Sequence, residues 1–288
     1  MKKIAIGIVG LLLLSQIATG KARKDSAQKS AGEEVSFELI SGYLVIVDGG
    51  IGPLYGLKFV LDTGATHSAV SAKVADRLGL RRVAGKVFNI DKIAKTEWAV
   101  IPEVELGPLR ASQLPVMITD LDYFKSLRTH VDAVIGLDLL RQKSFSIDFA
   151  GKKVRFGPSE GGRHSIPMVS DDISLKVEAE ANGRPIHMIL DSGAPGPMMY
   201  EERLENRAVD YNIEEEDYGN RINGVLRLTR AKVRRLQLGG SEIDHTVFLT
   251  HSPAKGELDG IDGFLGLTAL KARRINFDFE TNTLSWTN

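Results

Sequence analysis

A short motif occurs twice in this chain, and it constrains the fold more than any other feature. Asp62-Thr63-Gly64-Ala65 follows the apolar run Phe59-Val60-Leu61, and Asp191-Ser192-Gly193-Ala194 follows Met188-Ile189-Leu190. The two aspartates are separated by an offset of 129 (191 − 62 = 129). Downstream, Val134-Ile135-Gly136 returns as Phe264-Leu265-Gly266, and Ile147-Asp148-Phe149 returns as Phe277-Asp278-Phe279, both at an offset of 130 (266 − 136 = 130). That period is too long for a solenoid and favours a duplicated domain. Each half offers one carboxylate at the end of an apolar strand, so the pattern points to a site that needs two carboxylates.

The strands around the motif repeat as well. In half one, Tyr43 to Val47 and Leu57 to Leu61 read as strands joined by the turn chemistry of Gly49-Gly50-Ile51-Gly52-Pro53. Half two repeats this as Ser174 to Ala179, a turn at Asn182-Gly183, and Ile186 to Leu190. After the first motif, Val70, Val74 and Leu78 lie at helical spacing, and Gly79 supplies a stop. The stretches 90–107 and 222–239 each read as a hairpin, with turns near Asp91-Lys92 and Asn223-Gly224. A strand, the apolar-apolar-Gly triplet, a short helix and a closing hairpin follow in both halves. The closing hairpins turn at Ala150-Gly151 and Thr281-Asn282. These signals divide the chain into lobes at 35–157 and 170–288, with an aperiodic, Pro-, Gly- and Ser-containing linker at 158–169. A length of 288 residues suits about two domains of roughly 150 residues, each large enough to bury a core.

The N-terminus departs from this pattern. Lys2-Lys3 precede Ile4 to Gly20, an uncharged stretch with Leu11 to Leu14 at its centre. Ala18 and Gly20 stand at −3 and −1 of a cut before Lys21. Residues 1–20 therefore read as a secretory signal peptide, and the expected location is periplasmic or secreted. An uncleaved anchor helix is the rival, because the stretch is near the lower spanning limit. Residues 21–34 are polar and charged and read as a disordered tether.

Composition excludes several function classes. Basic and acidic residues number 37 each, which provides no electrostatic basis for a nucleic-acid partner. The absence of Cys removes a thiol nucleophile and any Cys-ligated zinc site. The Gly49 to Gly56 stretch fails the dinucleotide fingerprint, and there is no Gly-x-Ser-x-Gly elbow. His67, next to the first motif, reads as a solvated or helix-start residue, and His245 and His251 as flanks of a strand. The acid-rich stretch 201–217 reads as a solvated helix and loop.

Two carboxylates about 3 Å apart cannot comfortably ionise together and share one proton. The charged one can then activate a water while the neutral one supplies a proton, which is what hydrolysis of a peptide bond requires. Thr63 and Ser192 carry hydroxyls that can brace the turn, and Gly64 and Gly193 let the backbone approach closely. A single Asp-Thr-Gly would be read as an ordinary turn. Its second copy favours catalysis, because each copy has a triplet glycine at a matching distance, +74 from Asp62 (136 − 62 = 74) and +75 from Asp191 (266 − 191 = 75).

The paired motifs, Asp62-Thr63-Gly64-Ala65-Thr66 with Val134-Ile135-Gly136 and Asp191-Ser192-Gly193-Ala194 with Phe264-Leu265-Gly266, resemble the aspartic peptidases of the retropepsin and pepsin type. The chain is similar to bacterial retropepsin-like proteins in which the domain is duplicated. The resemblance covers nearly all of 35–288. It implies an all-β fold with short helices, built as two pseudo-symmetric lobes around a cleft, with Asp62 and Asp191 as the catalytic pair. It further implies that Thr63 and Ser192 lock the two loops together and that Gly136 and Gly266 pack beneath them. Asp91, Lys92, Asn223 and Gly224 would occupy the flaps. The expected activity is endopeptidase action on extended peptide or unfolded-protein segments by a monomer, without metal or cofactor and without membrane attachment once the signal is cut. A site assembled from two chains is the oligomeric alternative. A weakly active or inactive module that binds peptide or cell wall is the functional one, and Pro195, which departs from the family pattern that Thr66 follows, is the residue that favours it. Ala65 and Ala194 deny each carboxylate a hydroxyl donor, so the pair is expected to titrate high and to work in mildly acidic to near-neutral conditions.

Overall fold

The computed structural model describes residues 6–8, 33–90, 92–221, 224–253 and 258–288. The expected signal and tether, Asp91 and Asn223 lie wholly or largely outside these residues. The described residues are mostly strand, with few short helices, in two similar β-rich halves. This is the all-β, two-lobed acid-protease architecture. No helix among the described residues is long and apolar enough to cross a membrane.

In each half an antiparallel hairpin delivers the motif. Leu44–Ile51 pairs with Leu54–Leu61, and Leu175–Ala181 pairs with Arg184–Asp191. Alternate residues of Leu175–Ala181 are buried, as its apolar-polar alternation dictates. The strand carrying the motif is then flanked in parallel by the triplet. Leu61 lies beside Ile135, and Asp191 beside Gly266. Both aspartates therefore sit where parallel strands end, covered on each side and far from solvent.

The closing hairpins of the two halves join each other. Phe145–Asp148 pairs antiparallel with Arg274–Asp278, so that Phe145 lies opposite Phe277 and their rings stack at 4.7 Å. A single hydrophobic cluster runs through both lobes, from Phe37 and Phe59 to Phe277 and Trp286. Each large side chain buried there contributes about 1.5–3 kcal/mol, which ties the lobes into one unit.

Three elements differ from the sequence reading. His164–Pro167, inside the expected linker, is a strand paired with Thr283–Thr287, and the His164 ring stacks on Trp286 at 5.1 Å. Its Pro is tolerated because the strand is at the sheet edge. The acid-rich stretch is helical only over Glu201–Asn206; Tyr211–Arg221 is a strand. Its carboxylates face a basic partner strand, with Glu215 bonded to Arg230 at 2.8 Å and Glu216 to Arg227 at 2.6 Å. Opposite charges across the ladder stabilise a strand that composition alone would call solvated. The two long hairpins also begin earlier than the turns suggested, pairing Val83–Asn89 with Lys92–Leu106 and Tyr211–Arg221 with Gly224–Val233.

Candidate active site

Asp62 and Asp191 are both 0% exposed. Each closes its own turn. The Gly64 N–H donates to Asp62 Oδ1 at 2.9 Å, and the Gly193 N–H donates to Asp191 Oδ1 at 2.8 Å. The Thr63 and Ser192 hydroxyls do not brace the turns they belong to, because the carboxylates already fill that role. They cross between the lobes instead. The Thr63 N–H donates to Ser192 Oγ at 2.9 Å and the Ser192 N–H to Thr63 Oγ1 at 3.0 Å. The hydroxyls in turn donate to Leu190 O at 3.0 Å and Leu61 O at 2.8 Å. Four buried bonds thus clamp one motif against the other.

Gly64 makes that approach possible. A Cβ there would lie 2.6 Å from Asp191 Cγ. Its φ is outside the left-handed region, so the glycine is required for space rather than for backbone freedom. Gly136 and Gly266 are pressed against the motif loops in the same way. A Cβ at Gly136 would meet Ala65 O at 2.8 Å, and one at Gly266 would meet Ala194 O at 2.6 Å.

Oδ2 of Asp62 and Oδ2 of Asp191 are buried with no donor among the described residues. Two carboxylates can bond each other only when one is protonated. Burial raises Asp62 well above the ordinary carboxylate range, and the Asp191 charge adds to the rise against the Gly64 N–H. Burial likewise pushes Asp191 up to about 7, opposed by the Gly193 N–H and by Asp62. Both carboxyls therefore keep their protons above the ordinary carboxylate range, and their titrations belong to the pair.

Other sequence candidates are placed as follows. Lys92 and Gly224 open the return strands of the long hairpins, paired with Asn89 and Arg221. At the first hairpin's tip, Phe88 and Ile90 pack in one cluster with Met198, Tyr200, Leu226, Leu228 and Phe264 of the other half. The Tyr200 hydroxyl donates to Ile90 O at 2.6 Å. His67 is packed rather than solvated, with its ring edge-on to Trp98 at 5.7 Å and its pKa lowered by burial. His245 and His251 flank the strand Thr246–Thr250.

Several supporting residues were missed by sequence reasoning. Asp132 Oδ2 accepts the Lys58 N–H at 2.9 Å, and Asp262 Oδ2 accepts the His187 N–H at 2.8 Å. These aspartates repeat at the same offset of 130 as the triplets (262 − 132 = 130), and that signal could have found them. Ser68 Oγ receives the Gly136 N–H at 3.0 Å and donates to Asp138 Oδ1 at 2.6 Å. In half two the same connection is made differently, by the Thr268 hydroxyl donating to Pro195 O at 2.6 Å. Pro195 is thereby accommodated, and the second loop stays tied to the segment after its triplet.

Two lobes related by an internal repeat, each contributing one buried carboxylate to a clamped pair, define an acid-protease-type protein. A family profile described as aspartyl protease matches the chain twice, over residues 46–139 and 177–269. The chain belongs to the aspartyl protease family, with its domain duplicated. Among curated proteins no match was found.

Proposed function

We propose that this protein is an aspartic endopeptidase that hydrolyses extended peptide segments, with Asp62 and Asp191 as its catalytic pair. The observation that carries this reading is the pair itself: two fully buried carboxylates, from equivalent positions of two lobes, clamped by the four Thr63–Ser192 bonds and both raised by burial. The charged carboxylate takes a proton from a water whose oxygen attacks the peptide carbonyl carbon. The neutral carboxyl gives its proton to the carbonyl oxygen. Collapse of the tetrahedral species then breaks the C–N bond, with a proton delivered to the leaving nitrogen, and releases a carboxyl and an amine. The two carboxylates supply both acid and base, so this scheme calls for no cofactor.

The long hairpins act as flaps in this reading. Phe88 and Ile90 lie against the opposite half, so admission of a peptide requires the first hairpin to lift, and its return excludes water. The site is intramolecular, since the clamp is made within one chain. The charged start and apolar stretch of residues 2–20 support export to a periplasmic or extracellular space, with 21–34 as a tether.

Cleavage of a denatured protein by the wild type, Asp62→Asn and Asp191→Asn tests the assignment. Activity in the wild type and its loss in both variants is expected. Equal, low cleavage by all three would favour a peptide-binding module that retains the fold.

A further inference from the structure

Four buried side-chain polar atoms lack a hydrogen-bond partner among the described residues: Asp62 Oδ2, Asp191 Oδ2, Tyr123 OH and Arg141 Nε. Tyr123 packs against the cluster that holds Ala65 of the first motif, within electrostatic reach of both aspartates. Folded proteins rarely leave a buried hydroxyl unpartnered, and such exceptions concentrate where a ligand completes the set.

Tyr123 is held by packing instead. It lies in the short helical turn Asp122–Leu127, its ring stacks on Phe124 at 4.1 Å, and it packs against a cluster that contains Ala65 of the motif and Val87 of the first hairpin. Its ring is thus fixed against the first motif, and its hydroxyl is buried without a protein acceptor among the described residues. We infer that Tyr123 is a third residue of the active site, donating a hydrogen bond from its hydroxyl to the carbonyl oxygen of the peptide group bound at Asp62 and Asp191. This rests on the peptidase reading above.

The three unpartnered groups are complementary to a peptide undergoing hydrolysis. The carbonyl oxygen supplies an acceptor for the phenol, and the attacking water supplies donors for the carboxylates. Negative charge grows on that carbonyl oxygen as water adds, so a fixed donor there stabilises the transition state more than the bound substrate. Burial, followed by the charges of Asp62, Tyr43 and Asp191, raises the phenol above its ordinary value and keeps it a donor. Half two carries no tyrosine at the equivalent place. Offsets of 129 and 130 from Tyr123 lead to Ser252 and Pro253, and Ser252 is already bonded to Glu202. A donor from one lobe alone makes the cleft directional, which a peptide chain requires.

The experiment compares the full-length wild type, Tyr123→Phe and Asp62→Asn, by initial rates on fluorescein-labelled casein and by thermal melting. Tyr123→Phe is expected to lose about a hundredfold in rate, as for removal of an oxyanion donor. Its melting temperature is expected to equal or exceed that of the wild type, because deleting an unpartnered hydroxyl orphans no other group. An unchanged rate overturns the inference while leaving the peptidase reading intact. A lowered rate with a lowered melting temperature also overturns it, by assigning the hydroxyl a structural role. A wild type no faster than Asp62→Asn overturns the peptidase reading and the role of Tyr123 with it.

Discussion

Thr63 and Ser192 each accept the backbone N–H of the other and each donate to the strand that leads into the other's motif. The exchange is reciprocal, so neither hydroxyl is replaceable by an apolar group without leaving two buried backbone groups unpaired. Thr63→Val orphans the Ser192 N–H and the Leu190 carbonyl; Ser192→Ala orphans the Thr63 N–H and the Leu61 carbonyl. An unsatisfied buried group costs about 1–3 kcal/mol, and in a chain of this size each kcal/mol lowers the melting temperature by about 2–4 °C. Both variants are therefore expected to melt several degrees lower, and Thr63→Ser, which keeps the hydroxyl, close to the wild type. Equal melting temperatures for Thr63→Val and Thr63→Ser would show that the clamp contributes nothing.

The buried pair makes stability and activity depend on pH in a defined direction. Asp191 has an ordinary value of 3.8 and rises to about 7 on folding, chiefly through burial. Between those values the folded state binds more protons than the unfolded one, so stability falls as pH rises through the window. Below it, both states are protonated and nothing is lost. Asp191→Asn is expected to match the wild type in melting temperature near the acid end of the window. It should become progressively more stable than the wild type up to about 7 and keep a constant advantage beyond. Each pH unit across the window corresponds to about 1.4 kcal/mol, enough to read by calorimetry. A constant difference at all pH values would show that Asp191 is not raised.

In the proposed reaction the protonation of the pair also sets the rate. A pair with one proton has both a base and an acid: ionisation of Asp191 near 7 creates the base, and loss of the proton that Asp62 holds more tightly removes the acid. The rate of peptide cleavage is expected to peak in mildly acidic to near-neutral solution and to fall on the alkaline side. Both Oδ2 atoms lack a donor among the described residues, and Ala65 and Ala194 provide no hydroxyl to ionise the pair earlier. A maximum below about pH 3 would contradict that hydrogen-bonding argument.

The repeat made much of this fold readable, because duplication prints the same local chemistry twice. Asp62 and Asp191, the strands before them, the triplet glycines and the closing turns are all local signals, reinforced by their second copies at a fixed offset. What escaped were relations across space. The sequence shows that Thr63 and Ser192 carry hydroxyls, but not that the carboxylates already hold their own turns and free those hydroxyls to cross. The acid-rich strand 211–221 was invisible as a strand because its stability depends on Arg227 and Arg230 in the facing strand. Tyr123 and Tyr200 have no repeated partner; an offset of 129 back from Tyr200 leads to Ser71. Symmetry is informative only about what both halves share.

Tyr200 ties half two to the tip of the first hairpin, its hydroxyl donating to Ile90 O at 2.6 Å. The tip also packs against Leu226 and Leu228, so the bond adds to an apolar seal. Tyr200→Phe keeps the ring and removes the bond, at a net cost of about 1 kcal/mol. The expected result is faster hydrogen exchange at the amides of Val87 and Phe88, with no change in the central strands Leu44–Ile51 and Arg184–Asp191. Unaltered exchange at the tip would mean that packing alone holds it.

The glycines beneath the motifs differ in what a methyl group would strike, which predicts an order of tolerance. A Cβ at Gly266 would sit 2.6 Å from both Ala194 O and Gly196 N, and one at Gly136 would sit 2.8 Å from Ala65 O and the His67 carbonyl carbon. These neighbours are backbone, fixed by the parallel strands and by the Leu137 N–H donating to Ala65 O at 2.8 Å, so neither side can yield cheaply. Overpacking of this kind costs about 1–3 kcal/mol. A Cβ at Gly64 would instead strike the carboxylate of Asp191, so Gly64→Ala acts directly on the proposed catalytic pair. Gly196 has only Phe248 Cε2 within 4 Å, at 3.7 Å, an ordinary contact. Gly136→Ala and Gly266→Ala are expected to melt lower than the wild type, Gly64→Ala to lose cleavage activity more than stability, and Gly196→Ala to retain both. Parallel measurement of melting and casein cleavage across the four variants checks the order, and a Gly64→Ala protein with wild-type activity would mean that the two motifs do not need their close approach.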